Sequence, residues 1–141
     1  IQDYQIDHYK NRFLKYINPG FIKCVTDEND ELVAFAITMP SFSNALKKIN
    51  GKVDFIGKLR LLHAKNFNHK GSLYLIGVRP DFQNKGVIAI LFNELQKFYN
   101  KFGITEVETN PELIENAAIQ QLWKNYENNQ HKNRATFTKE I

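Results

Sequence analysis

Between Ser72 and Phe102 the chain changes its apolar period once, and that change limits what it can fold into. "SLYLIGV", Ser72 to Val78, is a short run rich in β-formers and reads as a buried strand. After Gly86, residues Val87, Leu91, Leu95, Phe98 and Phe102 recur at helical spacing, with Asn93, Lys97 and Lys101 opposite. Gly103 ends that helix, and "ITEVETN" supplies a further strand. A strand, a helix and a strand in this order predict a parallel pair joined by a crossover. The helix must then bury its stripe on the sheet.

The rest of the chain supplies that sheet. Tyr9, Phe13, Tyr16 and Ile17 predict an opening helix that ends before Pro19 and Gly20. "FIKCVT", the turn "DEND" and "ELVAFAITM" predict an antiparallel hairpin, stopped by Pro40. Ser41 or Ser43 can cap the short helix "NALKKI", and a second basic helix spans roughly 56–66, followed by a plain turn, "NHKG". Asn110 as cap with Pro111 at the first helical position predicts a helix through about Asn128, with Ile114, Ala118, Leu122 and Tyr126 inward. "RATFTKEI" alternates and predicts a closing strand. The class is mixed α/β.

At 141 residues the chain fits one domain, residues 1–141, with 41–70 as a basic helical insertion. Its opening on Ile is consistent with a piece of a longer chain. No apolar run approaches the roughly 18–20 residues of a membrane span, and no secretory signal pattern stands out. A single cysteine, Cys24, excludes an internal disulfide. Its apolar neighbours predict a buried thiol in a reducing, cytoplasmic setting. The net charge of +4 is uneven, with +6 in residues 41–70 and −2 elsewhere. Such a surface steers anions, nucleotides included, or is simply a set of solvated helix faces.

The turn between strand and helix holds Pro80, Gln83, Asn84, Lys85 and Gly86. A helix N-terminus leaves amides without partners, and its dipole adds about half a positive charge. Gly86 lets the chain pass close to a ligand, and Lys85 adds a full charge, so the turn suits a pyrophosphate. Neither a P-loop nor a dinucleotide fingerprint is present. Gly77 near the end of the preceding strand marks a bulge or a close approach to the backbone.

The run "LYLIGVRPDFQNKGV" resembles the acetyl-CoA-binding segment of the GNAT acetyltransferase superfamily, a strand ending in valine, a proline, then Gln/Arg-x-x-Gly-x-Gly/Ala opening a helix. Gln83, Asn84, Lys85, Gly86 and Val87 fit, whereas Ile88 stands where glycine or alanine is usual. "ENAAIQQLWKNY" is similar to a second family segment, with Asn116 and an aromatic, Trp123, seven residues on. The element order matches apart from a missing first strand and an enlarged insertion. The resemblance implies a mostly antiparallel sheet with one splayed parallel pair and flanking helices. It implies acetyl-CoA as cosubstrate, with the pyrophosphate on amides of the turn. The pantetheine would lie between "LYLIGV" and "TEVETN", along Ile76, Gly77 and Val78, with Gly77 near the bulge. An amine would attack the thioester directly.

The same residues have plainer readings. Gln83, Asn84 and Lys85 are also ordinary turn residues, and Asn116 lies one turn inside the expected helix, where its amide needs a partner. The family most often has tyrosine where Trp123 stands, and an indole N–H cannot supply a proton. Tyr126 is one alternative acid, though its spacing points it into the core. Glu106 and Glu108 share a face of their strand, and Glu108 is the candidate base, directly or through water. No metal site is expected. Three readings stay open: an N-acyltransferase acting on a small-molecule or peptide amine, a non-catalytic GNAT-fold module, and an aminoacyl transferase of the Fem type. The second suits the latter half of a tandem GNAT protein. The third would use aminoacyl-tRNA, and the lack of an aromatic-interleaved basic stripe disfavours nucleic acid. The insertion either covers the sheet edge or walls the acceptor site, favouring an acidic acceptor.

Overall fold

The computed structural model describes residues 2–12, 18–51 and 53–139. Four strands form one sheet in sequence order: β1 (Ile22–Thr26), β2 (Leu32–Pro40), β3 (Lys70–Val78) and β4 (Glu106–Thr109). β1–β2 and β2–β3 are antiparallel, and β3 and β4 run parallel, as a crossover helix requires. The helices are α1 (Asp3–Arg12), α2 (Ser43–Ile49), α3 (Phe55–Asn66), α4 (Val87–Phe102) and α5 (Ala117–Trp123). The mixed α/β class follows. The chain divides into two compact units, residues 1–108 and 109–141.

In the first unit the core forms where α4 meets β2. Ala34, Ala36, Thr38 and Pro40 alternate along β2 as buried positions. Their small side chains let a helix approach closely. α4 lays Val87, Leu91 and Leu95 inward, and Val87 clusters with Val33 and Ala34. Leu91 and Leu95 are each 1% exposed, which fixes the helix on its predicted stripe. Phe21 closes the far end, edge-on to Phe98 at 4.9 Å and tilted on Phe102 at 5.8 Å. The buried Thr38 hydroxyl donates to the Phe21 carbonyl at 2.8 Å, so the one polar side chain in that row of β2 costs little. No helix among the described residues is long and apolar enough to cross a membrane.

Several expectations need correction. Phe13, Tyr16 and Ile17 lie outside the described residues. Cys24 is exposed, because it points away from the covered face of an edge strand. β2 runs through Pro40 rather than stopping before it, and "NHKG" is not all turn, since Lys70 and Gly71 already belong to β3. Phe42 takes the cap position of α2, while the Ser41 hydroxyl accepts weakly from the Ser43 N–H at 3.4 Å. The bulge falls at Tyr74, which is skipped between the pairs Ile37–Leu75 and Thr38–Leu73. Gly77 pairs in regular register with Phe35, and a Cβ there would come within 2.7 Å of the Phe35 ring. Its missing side chain makes room for an aromatic ring.

The second unit departs furthest from expectation. Its helix begins at Ala117, not at Pro111, because the Asn116 carboxamide accepts from the Ile119 N–H at 3.4 Å and caps it there. Asn116 is therefore a cap and not an interior helix residue. Ile114 is 89% exposed and precedes the helix, so it supplies no inner face. Tyr126 is 40% exposed and lies beyond the helix end, so it is not a core residue either. No strand is assigned over residues 134–139, and Phe137 is 89% exposed. Alternation supplies a face preference but no partner edge, and a strand needs both.

Candidate active site

β3 hands over to α4 through a turn whose backbone is unusual at two places. The Arg79 N–H donates to the Val33 carbonyl at 2.8 Å and closes the ladder with β2. Pro80–Phe82 form one 3-10 turn, after which Asn84 and Gly86 both take left-handed conformations, at φ +59° and +78°. Turns that carry left-handed residues direct successive N–H groups into a concavity suited to anions. Gly86 is also the cap of α4, so no side chain there accepts from the first-turn amides. A Cβ on Gly86 would meet nothing within 4 Å. Glycine is thus required by the backbone angle and not by crowding, and the space at the helix N-terminus is open.

The side chains of the turn divide their roles. Gln83 is exposed, and its amide nitrogen reaches back to the Val78 carbonyl at 3.5 Å, the outer limit of a hydrogen bond. Asn84 and Lys85 are exposed, with the Lys85 ammonium 5.3 Å from the Phe82 ring centroid. Val87 points its side chain into the core, which leaves only its amide for a ligand. Ile88 is half-buried. Two left-handed turn residues, a helix N-terminus with no side-chain cap and an adjacent lysine fit a pyrophosphate.

Arg79 is the residue that sequence reasoning missed. Its guanidinium donates to Asp81 at 2.9 Å, to Asp27 at 3.3 Å and to Glu31 at 3.3 Å, and lies 4.6 Å over the Phe82 ring. It ties the β1–β2 turn to the β3–α4 turn. The signal was present in the Arg79–Asp81 spacing and in the acids of the hairpin turn, which the sequence could not bring together. The hydrogen bond from Arg79 holds the Asp81 carboxyl below its ordinary value. Asp27 is also lowered, first by the N–H groups of Glu31 and Asn29 and then by Arg79. With Arg79 engaged by three carboxylates, Lys85 is the cation that the turn offers an anion.

The end of β3 carries Ile76, Gly77 and Val78, all half-buried, in register with Ala36, Phe35 and Ala34 of β2. β4 is short and lies near the start of β3: the N–H groups of Thr105 and Glu106 donate to the His69 carbonyl, and Lys70 pairs with Glu106. Glu106 is thereby occupied, while Glu108 is half-buried one residue short of the strand's end. In the second unit the Trp123 indole N–H donates to Glu112 at 2.7 Å, and Tyr126 lies edge-on to Trp123 with centroids 6.2 Å apart. The structure brings Gln83, Asn84, Lys85 and Gly86 together in the first unit, and Asn116, Trp123 and Tyr126 within the second.

Comparison with known proteins bears on what this turn serves. No curated protein matches the sequence. Among solved structures, the chain is similar to an aminoglycoside 6'-N-acetyltransferase from Acinetobacter haemolyticus, at 15% identity and a TM-score of 0.57, covering all of this chain and 85% of that one. It is similar to a second aminoglycoside N-acetyltransferase, in complex with CoA, at 13% identity and a TM-score of 0.56, covering 100% and 97%. A third is an aminoglycoside acetyltransferase from an uncultured soil metagenomic sample, in complex with sisomicin, at 12% identity and a TM-score of 0.51. The match covers 85% of this chain and 64% of that one, so the chain spans under two thirds of that protein's length. At these identities the likeness is one of fold. Residues 2–125 match the Acetyltransferase (GNAT) family. That match takes in the sheet, the left-handed turn and α5 together, and the chain belongs to the GNAT acetyltransferase family.

Proposed function

We propose that this chain is an acyl-CoA-dependent N-acyltransferase that moves an acetyl group from acetyl-CoA to an amine. Family membership and the CoA complex of a structural neighbour are consistent with acetyl-CoA as cosubstrate. The observation that carries the reading is the turn itself, with left-handed Asn84 and Gly86 opening an α4 that has no side-chain cap, beside Lys85. Its amides would hold the pyrophosphate, and the β3 backbone at Ile76, Gly77 and Val78 would line the pantetheine. Acetyl-CoA supplies an acyl group activated as a thioester: the amine lone pair forms the C–N bond, the C–S bond breaks, and the amine's proton leaves to a base.

For this chain's residues that leaves two tasks, positioning and proton acceptance. Glu108 is the assigned base, directly or through water. Trp123 donates no proton, and its N–H is committed to Glu112, so the indole does not serve the leaving sulfur.

Titration calorimetry tests the site. The wild type is expected to bind acetyl-CoA saturably, and Gly86→Glu to abolish binding by placing bulk and negative charge beside the pyrophosphate. Equal affinity in both proteins would reject the site. Absence of binding to the wild type would favour a non-catalytic module.

A further inference from the structure

The insertion between β2 and β3 is built as a cleft. α2 and α3 pack against one another and leave between them a hollow of about 490 Å³, within the size range of small-ligand sites. Ile56, Leu59 and Phe67 supply its apolar wall, and Lys48, Arg60 and His63 its polar side. These apolar residues are more than half exposed, with Phe67 at 72%, so the wall is open to solvent. Arg60 is held in place by a hydrogen bond of 3.1 Å from its guanidinium to the Lys48 carbonyl, which bridges the two helices. His63 stacks on Phe67 with centroids 5.3 Å apart. Among the described residues no carboxylate lines the cleft. The insertion's one acid, Asp54, is consumed in capping α3, accepting from the Gly57 N–H at 2.7 Å.

The cleft also has a defined place along β3. Ser41 and Asn68 line it, and both flank the start of that strand: the Ser41 N–H donates to the Lys70 carbonyl at 2.8 Å, and the Asn68 amide donates to the Ser41 carbonyl. The left-handed turn follows the other end of β3, at Val78. An anion at the turn and a second anion at the cleft therefore occupy opposite ends of one strand.

We propose that the α2–α3 cleft binds the acceptor, and that the acceptor is a peptide-like amine carrying a carboxylate beside an apolar or aromatic group. The carboxylate pairs with Arg60 and Lys48, and the apolar group lies against Ile56, Leu59 and Phe67. Polycationic amines are rejected there, since two cations meet them and no carboxylate compensates. The assignment of this ligand as acceptor rests on the acyltransferase reading, whereas the cleft's preference for it does not.

Calorimetry without acetyl-CoA separates the two. The probes are the dipeptide Phe-Glu, its neutral counterpart Phe-Gln, and spermidine. Wild-type protein is expected to bind Phe-Glu more tightly than Phe-Gln, by about two- to fivefold for each cation engaged in so exposed a cleft, and not to bind spermidine. Lys48→Gln keeps the carbonyl that holds Arg60 and should lose part of that preference. The double variant with Arg60→Gln should lose all of it, with acetyl-CoA binding at about 0.15 M salt unchanged and thermal melting confirming the fold. Failure of wild type to bind Phe-Glu, equal affinity for the two dipeptides, or a preference that survives the double variant would each overturn the proposal. Absence of acetyl-CoA binding would overturn the acyltransferase reading instead, and the dipeptide titration would still decide the cleft.

Discussion

Arg79 holds Asp27, Glu31 and Asp81 together, and its effect is readable as a dependence of stability on pH. Asp27 and Asp81 both titrate below the ordinary value of 3.8 in the folded chain. A folded value below the unfolded one stabilises the fold above the unfolded value and loses that contribution as pH falls through the folded one. The melting temperature is therefore expected to fall as pH drops from about 4 toward about 2, below the usual carboxylate range. In Arg79→Gln that fall should be smaller, chiefly through Asp81, whose first stabiliser is Arg79. Asp27 should keep more of its contribution, because backbone N–H groups hold it first. An acid profile identical to wild type would reject this arrangement. Only the Arg79–Asp81 spacing and the acids of the hairpin turn were legible in the sequence, since Asp27 and Arg79 meet only when the hairpin folds back on β3.

At the scale of elements, Gly77 shows how one residue type serves two needs that a sequence cannot separate. A glycine near a strand's end reads as a bulge or as a ligand approach, and the bulge is in fact at Tyr74. At Gly77 the occupant of the space is the Phe35 ring. Gly77→Ala is accordingly expected to destabilise by about 1–3 kcal/mol, as overpacking does. Phe35→Leu in the same chain should restore part of the loss, measured by denaturant titration. A lack of coupling between the two changes would return the position to ligand contact alone. α4 is the contrasting case: Val87, Leu91 and Leu95 of its stripe and its glycine-flanked ends were readable, because helical period and caps are local properties, while Phe102 at the end of the stripe is 42% exposed. The helix after β4 was misjudged by its start, because Asn110–Pro111 and Asn116 both offer caps and only Asn116 is used.

For the whole molecule, the placement of charge decides how far its field reaches. Residues 41–70 carry +6, and the turn that would hold the pyrophosphate lies beyond the other end of β3. The eight steps along the nine-residue strand, at about 3.3 Å each, separate them by about 26 Å. The Debye length is about 30 Å at 0.01 M salt and about 8 Å at 0.15 M. Replacing Lys47, Lys58 and Lys65 with Gln should therefore slow acetyl-CoA association in stopped-flow at the low salt and leave it unchanged at the high one. Equal rates at both would show that the basic insertion does not steer the cosubstrate.

The sequence by itself determined the strands β1 to β4, the crossover helix, the antiparallel hairpin and the polar turn at Gln83–Gly86, since each follows from local period, turn chemistry or chain handedness. It also pointed to the family through that turn and through the Asn116–Trp123 segment. What it could not decide were the features that need distant residues to meet. The Arg79 cluster joins positions about fifty residues apart, the bulge depends on register against β2, and the cleft needs α2 and α3 folded side by side. The alternating "RATFTKEI" shows the same limit from the other side: a pattern describes the face a segment would present, and only the folded chain supplies the edge it would pair with.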